Sequence, residues 1–277
     1  MTYPRVLVFD SGIGGLSVAS CITRALPSLK LVYLADSEGF PYGGQAESVV
    51  IDRTRALIGS ALADYPCDLV VIACNTASTV ALPTLRAMTA TPVIGVVPAI
   101  KPAAGLSRNR RIGVLATPAT IAGPYLAELV ETFASDCVIE SVGVPELVSW
   151  IERRLSGEDI PVDQLDDRLQ PFRKARVDTL VLGCTHYPLI TPLLKELLPE
   201  VRYWVDSGDA IARRVTWMLE QAGIAIDGPV AEPGSQVREN PLEVALFTGE
   251  IPAGLKPFLA EMELEADQLR GSWPTGY

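Results

Sequence analysis

The sequence predicts an α/β protein with two similar parallel-sheet domains, related by a pseudo-two-fold axis, and an active site in the cleft between them. A first repeat pairs DLVVIACNT at 68–76 with DTLVLGCTH at 178–186, and in both a cysteine stands six residues after an aspartate. A second repeat pairs RVLVFDS at 5–11 with RIGVLAT at 111–117, and in both a hydroxyl stands six residues after an arginine. Short apolar runs alternate with helical patterns along the chain, which is typical of parallel α/β architecture.

The two repeated cysteines, Cys74 and Cys184, are predicted to lie where buried strands open into polar loops. Short runs rich in Val, Ile and Leu are typical of strands that are buried on both faces of a parallel sheet. The carboxyl ends of such strands form the edge at which open α/β sheets bind ligands. Two units that face each other would therefore place the two thiols on opposite sides of one small cavity.

The first unit begins with an apolar strand at 5–9, followed by the glycine-rich turn DSGIGG at 10–15. Its glycines allow a tight turn, and the N–H groups at a helix start bind anions. The third glycine of the dinucleotide fingerprint is missing, so a carboxylate suits this turn better than a nucleotide. The other elements predicted for this unit are strands at 31–35, at 93–97 and before Cys74, and helices at 16–26, 45–64 and 77–88.

Residues 40–44, FPYGG, are predicted to form a rigid turn that carries an aromatic hydroxyl and serves as a wall of the pocket. Residues 98–110 are the predicted crossover between the domains. We therefore assign 1–97 together with 207–277 to the first domain and 98–206 to the second. The elements predicted after the crossover are strands at 111–116, 137–142, 201–205, 244–248 and before Cys184, helices at 119–134, 145–155, 162–176, 188–198 and 209–222, and a loop at 224–242.

The composition indicates a globular protein that is not a dedicated nucleic-acid binder. Hydrophobic residues make up 48% of the 277-residue chain, and the net charge is −10. Phosphate backbones are bound mainly by Lys and Arg, so this charge argues against nucleic acid as the main ligand. No apolar run is long enough for a membrane span and the N-terminus has no signal pattern, so we expect a cytoplasmic protein without a membrane partner.

The cysteine pattern favours chemistry at two of the five cysteines and not a disulfide framework. The number is odd and no C-x-x-C pair occurs, so no disulfide framework is expected in a cytoplasmic chain. With one histidine and no cluster at metal-ligand spacing, no metal site is expected either. Cys21, Cys67 and Cys137 are interpreted as small packing residues. A single buried cysteine is more often packing than chemistry, but two in matching surroundings favour a functional pair.

Two opposed thiols can carry out proton transfer on both faces of one carbon. One thiolate removes a proton while the opposite thiol donates one, which would invert a Cα–H centre. Asp10 and His186, the single histidine of the chain, could assist these transfers. No lysine stands in a recognisable pyridoxal-phosphate context, so a mechanism without cofactor or metal is expected. Further groups that could hold a substrate carboxylate and stabilise a carbanion are Ser11, Asn75, Thr76, Thr117 and Thr185.

On these motifs the chain resembles the glutamate racemases of the cofactor-independent aspartate/glutamate racemase superfamily. The resemblance covers nearly the whole chain, from Asp10 to about Thr248. Its five motifs occur in the family's order and spacing. They are DSGIGGLSV at 10–18, PYG at 41–43, ACNTAS at 73–78, GCTHYPL at 183–189 and VDS at 205–207.

The resemblance implies interconversion of L- and D-glutamate, with Cys74 and Cys184 as the two proton donors and acceptors and D-glutamate supplied for peptidoglycan. It implies that Asp10 assists the first thiol, and that His186 and Glu152 assist the second. On sequence pattern alone, Glu152 and Asp36 would be interpreted as surface carboxylates. Family members are often dimers, which leaves the oligomeric state open. The substrate contacts that the resemblance implies are Asp10, Ser11, Tyr42, Gly43, Asn75, Thr76, Thr117, Thr185 and His186.

The chain departs from the family pattern at two places that flank the pocket. Residues 37–39 are Ser-Glu-Gly where many members have an Ala-Arg stretch, and residues 142–144 are Val-Gly-Val where a cysteine is common. These departures put rates and substrate tolerance in doubt, not the reaction. Some members are activated by a peptidoglycan precursor through an N-terminal extension. Only nine residues precede Asp10, so we expect that mode of activation to be absent.

Three other functions compete with the glutamate racemase hypothesis. The nearest is the same chemistry on aspartate. A cysteine-nucleophile hydrolase using Cys184 with His186 gives no role to Cys74. A two-domain amino-acid-binding protein would bind tightly without exchange at Cα. Exchange of the Cα proton in D2O, on glutamate or on aspartate, separates the racemases from the other two functions, and a covalent acyl adduct on Cys184 would mark the hydrolase.

Overall fold

The computed structural model describes residues 3–226 and 241–274. Its strands form two parallel sheets. The large sheet has six strands in the order β10-β9-β2-β1-β3-β4, and every pairing in it is parallel. Its strands are β1 (Arg5–Asp10), β2 (Lys30–Ala35), β3 (Leu69–Ile72), β4 (Val93–Gly95), β9 (Leu242–Phe247) and β10 (Ala266–Arg270).

The small sheet has four strands in the order β6-β5-β7-β8, again all parallel. Its central pair, β5 and β7, corresponds to β1 and β3 of the large sheet. The predicted fold class of two parallel-sheet α/β domains is therefore confirmed. The strands of the small sheet are β5 (Arg111–Ala116), β6 (Val138–Gly143), β7 (Thr179–Gly183) and β8 (Tyr203–Val205).

Helices cover both faces of each sheet, because consecutive strand residues point to opposite faces and both sets are apolar. In β1, Val6 and Val8 pack in one core with residues of α1 and α10, whereas Leu7 and Phe9 pack in another with residues of α2 and α3. The helices are α1 (Leu16–Ala25), α2 (Glu47–Asp64), α3 (Asn75–Met88), α4 (Ile100–Leu106), α5 (Pro118–Ala122), α6 (Pro124–Phe133), α7 (Leu147–Arg153), α8 (Val162–Ala175), α9 (Thr191–Leu197), α10 (Gly208–Gln221) and α11 (Leu255–Glu261).

Some predicted elements were wrong in detail. The crossover 98–110 contains α4, whose helical pattern is hidden by Pro102 and Gly105. The helix predicted at 119–134 is two helices, α5 and α6, because Gly123 leaves the helical conformation and Pro124 starts the next helix. The helix α11 and the polar edge strand β10 were not predicted. Most of the loop predicted at 224–242 lies outside the described residues.

The domain boundaries stay a prediction. Strands of the large sheet come from both ends of the described chain, and those of the small sheet come from its middle. The helix α10 packs on α1 in the core of the large sheet, through Ile211 and Val215. No helix of the described residues is long and apolar enough to span a membrane.

Candidate active site

The site lies where the central strands of both sheets end. Since β1 and β3 are neighbours, Ser11 lies beside Cys74, with 3.9 Å between Oγ and Sγ. Since β5 and β7 are neighbours in register, Thr117 follows one strand where Cys184 follows the other. Each domain thus contributes one hydroxyl and one thiol from neighbouring strand ends. Both thiols line one cavity of about 140 Å³.

The structure brings the predicted site residues together, except for Glu152, which contacts His186 from behind the cavity wall. Within the described residues, no lysine or arginine lines the cavity. Pro118, Pro145 and Val148 were not predicted as lining residues, and no sequence signal sets them apart from ordinary packing residues. The predicted site residues that line the cavity are Asp10, Ser11, Tyr42, Gly43, Cys74, Asn75, Thr76, Thr117, Cys184, Thr185 and His186.

Cys74 stands at the N-terminus of α3 and is 7% exposed. Burial raises the pKa of its thiol, and the negative charge of nearby Asp10 raises it further, while a hydrogen bond from the Ala77 N–H works in the opposite direction. The turn that presents Cys74 is fixed by Ser78, whose Oγ donates to the carbonyl of Ile72 at 2.8 Å. Burial and the nearby carboxylate of Asp10 therefore both favour the protonated thiol at Cys74.

Cys184 belongs to a chain of contacts that runs through His186 to Glu152. Its Sγ lies 3.8 Å from Nδ1 of His186, and Nε2 of His186 lies 2.7 Å from Oε1 of Glu152. Burial by itself lowers the pKa of His186, but the hydrogen bonds with Cys184 and Glu152 outweigh it, so that this pKa is raised well above its ordinary value. The imidazole of His186 thus favours its protonated form while in contact with Cys184.

Hydrogen bonds between the two domains hold the thiols in one cavity. Thr185 donates its hydroxyl to Oδ2 of Asp10 at 2.9 Å, across the cleft. Glu152 accepts the N–H of Ile13 at 2.7 Å with the same oxygen that contacts His186. Burial raises the pKa of Asp10, although His186 and the Thr185 and Ser11 hydrogen bonds partly oppose this. The glycine-rich turn at 10–15 is therefore hydrogen-bonded to Thr185 and to Glu152, which flank Cys184 and His186.

Asp36 is the clearest correction to the sequence analysis. It was interpreted as a surface carboxylate, yet it is fully buried behind the 40–44 turn and accepts the Tyr42 hydroxyl at 2.6 Å. The Tyr42 hydroxyl is thus hydrogen-bonded to a residue that does not line the cavity. Glu152 is also less exposed than the pattern indicated, since its side chain is 20% exposed. Both carboxylates directly follow apolar residues, Ala35 of β2 and Ile151 of α7, and their burial depends on partners elsewhere in the chain.

The chain is similar to known racemases over most of its length. The profile of the Asp/Glu/Hydantoin racemase family matches residues 13–215. A glutamate racemase of Klebsiella pneumoniae is 49% identical over 219 residues, which are 78% of this chain and 77% of that protein. The chain belongs to the glutamate racemase family.

Two solved glutamate racemases share the fold. The Escherichia coli enzyme, in complex with L-glutamate and the activator UDP-MurNAc-ala, aligns over 98% of both chains with a TM-score of 0.85 and 42% identity. The Francisella tularensis enzyme, in complex with D-glutamate, aligns over 99% of both chains with a TM-score of 0.76 and 25% identity. The sequence-based assignment to glutamate racemases is therefore confirmed, and this chain is an amino-acid racemase.

Within residues 3–226 and 241–274, no group of three or more His, Cys, Asp or Glu side chains could hold a metal ion.

Gly14 of this glutamate racemase is expected to be irreplaceable by alanine. A Cβ at Gly14 would overlap Nδ1 of His186 and Oγ1 of Thr185, so both side chains would have to shift. We expect Gly14→Ala to lower kcat/KM for racemisation about 10–100-fold, because displacements of about 1 Å disturb proton-transfer geometry that strongly. Circular dichroism of the amino acid follows the reaction.

Gly105→Ala is the matched control, since a Cβ added at Gly105 would meet no atom within 4 Å. Equal activity of the Gly14→Ala and Gly105→Ala variants would contradict the prediction.

Proposed function

We propose that this racemase interconverts L- and D-glutamate by a two-base mechanism in which Cys74 and Cys184 act on opposite faces of Cα. The observation that supports it most directly is that equivalent strand ends of the two domains each contribute one thiol to the same cavity. Inversion at carbon needs a base on one face and an acid on the other. Two thiols fill both roles and exchange them when the reaction runs backwards.

Backbone N–H groups are proposed to bind the two carboxylates of glutamate. Asn75 and Thr76 are the first residues of α3, where N–H groups have no partner inside the helix and the helix dipole favours anions. In the part of the chain that is described, the N–H groups of Tyr42 and Gly43 likewise have no protein acceptor. Since the cavity lacks Lys and Arg in that same part, these groups and the lining hydroxyls are the available anion donors.

In each direction one thiolate takes the Cα proton and the opposite thiol gives its proton to the other face. The electron pair left by the broken C–H bond is delocalised into the substrate carboxylate, where N–H donors stabilise the added charge. In the proposed first turnover Cys184, beside His186, acts as the base, and Cys74, beside Asp10, acts as the acid. One turnover exchanges these protonation states, and His186 and Asp10 assist their return.

The proposed biological role is the supply of D-glutamate for peptidoglycan. Support for it comes from the family relationship, because the related proteins of bacteria carry the glutamate racemase name. The E. coli structure also contains a muramyl nucleotide as activator.

The test is incubation with L-glutamate and D-glutamate separately in D2O without added cofactor. Proton NMR follows deuterium entry at Cα, and circular dichroism follows the loss of optical activity. We expect both enantiomers to racemise with exchange at Cα, and aspartate to react far more slowly. Faster reaction of aspartate would make this an aspartate racemase, while no exchange with either amino acid would contradict the proposal and favour a hydrolase or a binding protein.

A further inference from the structure

A partly buried ion pair between Arg53 and Asp36 lies next to the cavity but does not line it. Arg53 of α2 contacts Asp36 with both ends of its guanidinium, at 2.7 Å from Nε to Oδ2 and 2.6 Å from Nη2 to Oδ1. Asp36 is fully buried, whereas the Arg53 side chain is 25% exposed. Burial opposes ionisation of Asp36, but the hydrogen bonds from Arg53 and Tyr42 outweigh it and hold its pKa below the ordinary value. No step of the two-thiol mechanism uses this pair.

The carboxylate of Asp36 accepts hydrogen bonds from three separate segments of the first domain. Besides Arg53 of α2, it accepts the hydroxyl of Tyr42 in the pocket turn at 2.6 Å. It also accepts the hydroxyl of Thr248, directly after β9, at 2.9 Å. Thr248 in turn accepts the N–H of Glu38 at 2.9 Å. The base of the 40–44 turn is therefore held by hydrogen bonds that converge on one charged group.

The turn above this base reaches across the cleft. The ring of Phe40 lies 5.6 Å from that of His186 between centroids. Gly43 faces Thr117 of the second domain, since a Cβ built on Gly43 would be 3.4 Å from the Thr117 Cβ. The N–H groups of Tyr42 and Gly43 are among the proposed donors to the substrate. Their position thus depends on what holds the turn from below.

We propose that Arg53, acting through Asp36, is a positioning residue that holds the 40–44 turn in its substrate-binding geometry. The proposal rests on the proposed function, since it assigns this turn to glutamate binding. Without Arg53, the fully buried Asp36 would be left uncompensated. It would then have to take up a proton or admit water, and either change weakens the bond that orients Tyr42.

The first test compares Arg53→Met with Arg55→Met in glutamate racemisation. Arg55 is the matched control, because it lies two residues further along α2, where it forms an ion pair with the exposed Asp52 at 3.7 Å. We expect Arg53→Met to raise KM for glutamate about tenfold and to lower kcat by less than about threefold, because a displaced turn weakens binding more than proton transfer. Arg55→Met is expected to leave both constants unchanged. Arg53→Lys should restore part of the loss, since it keeps the charge without the two-point contact.

Tyr42→Phe provides a second, independent variant in case Arg53→Met fails to fold. It removes only the bond from the turn to Asp36, and we expect it to raise KM as well. In the double variant with Arg53→Met or Arg53→Lys, the two effects should be less than additive because both act through Asp36. Fully additive effects of the two substitutions on KM would overturn the proposal, and so would an unchanged KM in folded Arg53 variants. A lower melting temperature with an unchanged KM would mean that Arg53 only stabilises the fold.

Hydrogen exchange tests the same proposal without any turnover. The N–H groups of Glu38, Gly39 and Gln45 are hydrogen-bonded around the turn, so a peptide covering 37–46 reports its order by mass spectrometry. We expect faster exchange there in Arg53→Met than in the wild type or Arg55→Met. If the wild type does not act on glutamate, the proposed function fails, and this measurement still decides whether Arg53 orders the turn. Equal exchange in all three proteins would overturn the positioning role.

Discussion

Replacing either pocket cysteine with serine is expected to abolish racemisation of both enantiomers. Serine has nearly the same shape, so binding and fold should be retained, but a hydroxyl holds its proton far more tightly than a thiol does. Loss of one base removes inversion in both directions, because each direction uses both thiols. The expected fall in kcat is about 10³-fold or more, within the range of general acid–base contributions. It would be measured by circular dichroism with Cys74→Ser and Cys184→Ser.

Each single variant should nevertheless retain part of the chemistry. The remaining thiol can still remove the Cα proton from the enantiomer that presents that proton to it. In D2O, slow exchange without inversion is therefore expected for one enantiomer in Cys74→Ser and for the other enantiomer in Cys184→Ser. Cys137→Ser serves as the control, since this partly exposed cysteine lies outside the cavity. Normal racemisation by either pocket variant would rule out the two-thiol mechanism.

The residues that touch the cavity could largely be predicted because they stand in local sequence patterns. Cys74 and Cys184 repeat the same order of strand, small residue, thiol and polar residue, and parallel strands bring such ends to one edge. Their neighbours Ser11 and Thr117 follow from the second repeat. The turn at 40–44 was predicted as a pocket wall from its own sequence, and the family motifs then named Tyr42 and Gly43 in it as predicted substrate contacts.

The residues that support the cavity from behind could not be predicted in the same way. Arg53 lies within a long helix, and which of its residues point inward is settled by tertiary packing, which also determines that Asp36 is buried. Glu152 contacts both the N–H of Ile13 and the ring of His186, which are more than a hundred residues apart in the sequence. The sequence around Glu152 therefore indicates neither its partners nor its partial burial. Such contacts become visible only once the two domains are placed together.

The two thiols have different neighbours, and this difference predicts opposite behaviour of two variants. His186 contacts Cys184, and Asp10 lies close enough to Cys74 for its charge to raise the pKa of that thiol. Asparagine at either position can neither take up nor release a proton. We expect His186→Asn and Asp10→Asn each to lower kcat about 10²–10³-fold, with His186→Asn slowing proton transfer at Cys184 and Asp10→Asn slowing it at Cys74.

Deuterium at Cα reveals which transfer has become slow. In His186→Asn, removal of the Cα proton by Cys184 limits the rate for one enantiomer, so that α-deuteration of this enantiomer should slow the reaction strongly. For the other enantiomer, Cys74 removes the proton quickly and reversibly, and the slow step is delivery from Cys184, so α-deuteration should have little effect. In Asp10→Asn the two enantiomers should exchange these behaviours, while Asp163→Asn, on the exposed side of α8, should resemble the wild type. A larger isotope effect for the same enantiomer in both variants would show that His186 and Asp10 do not serve separate thiols.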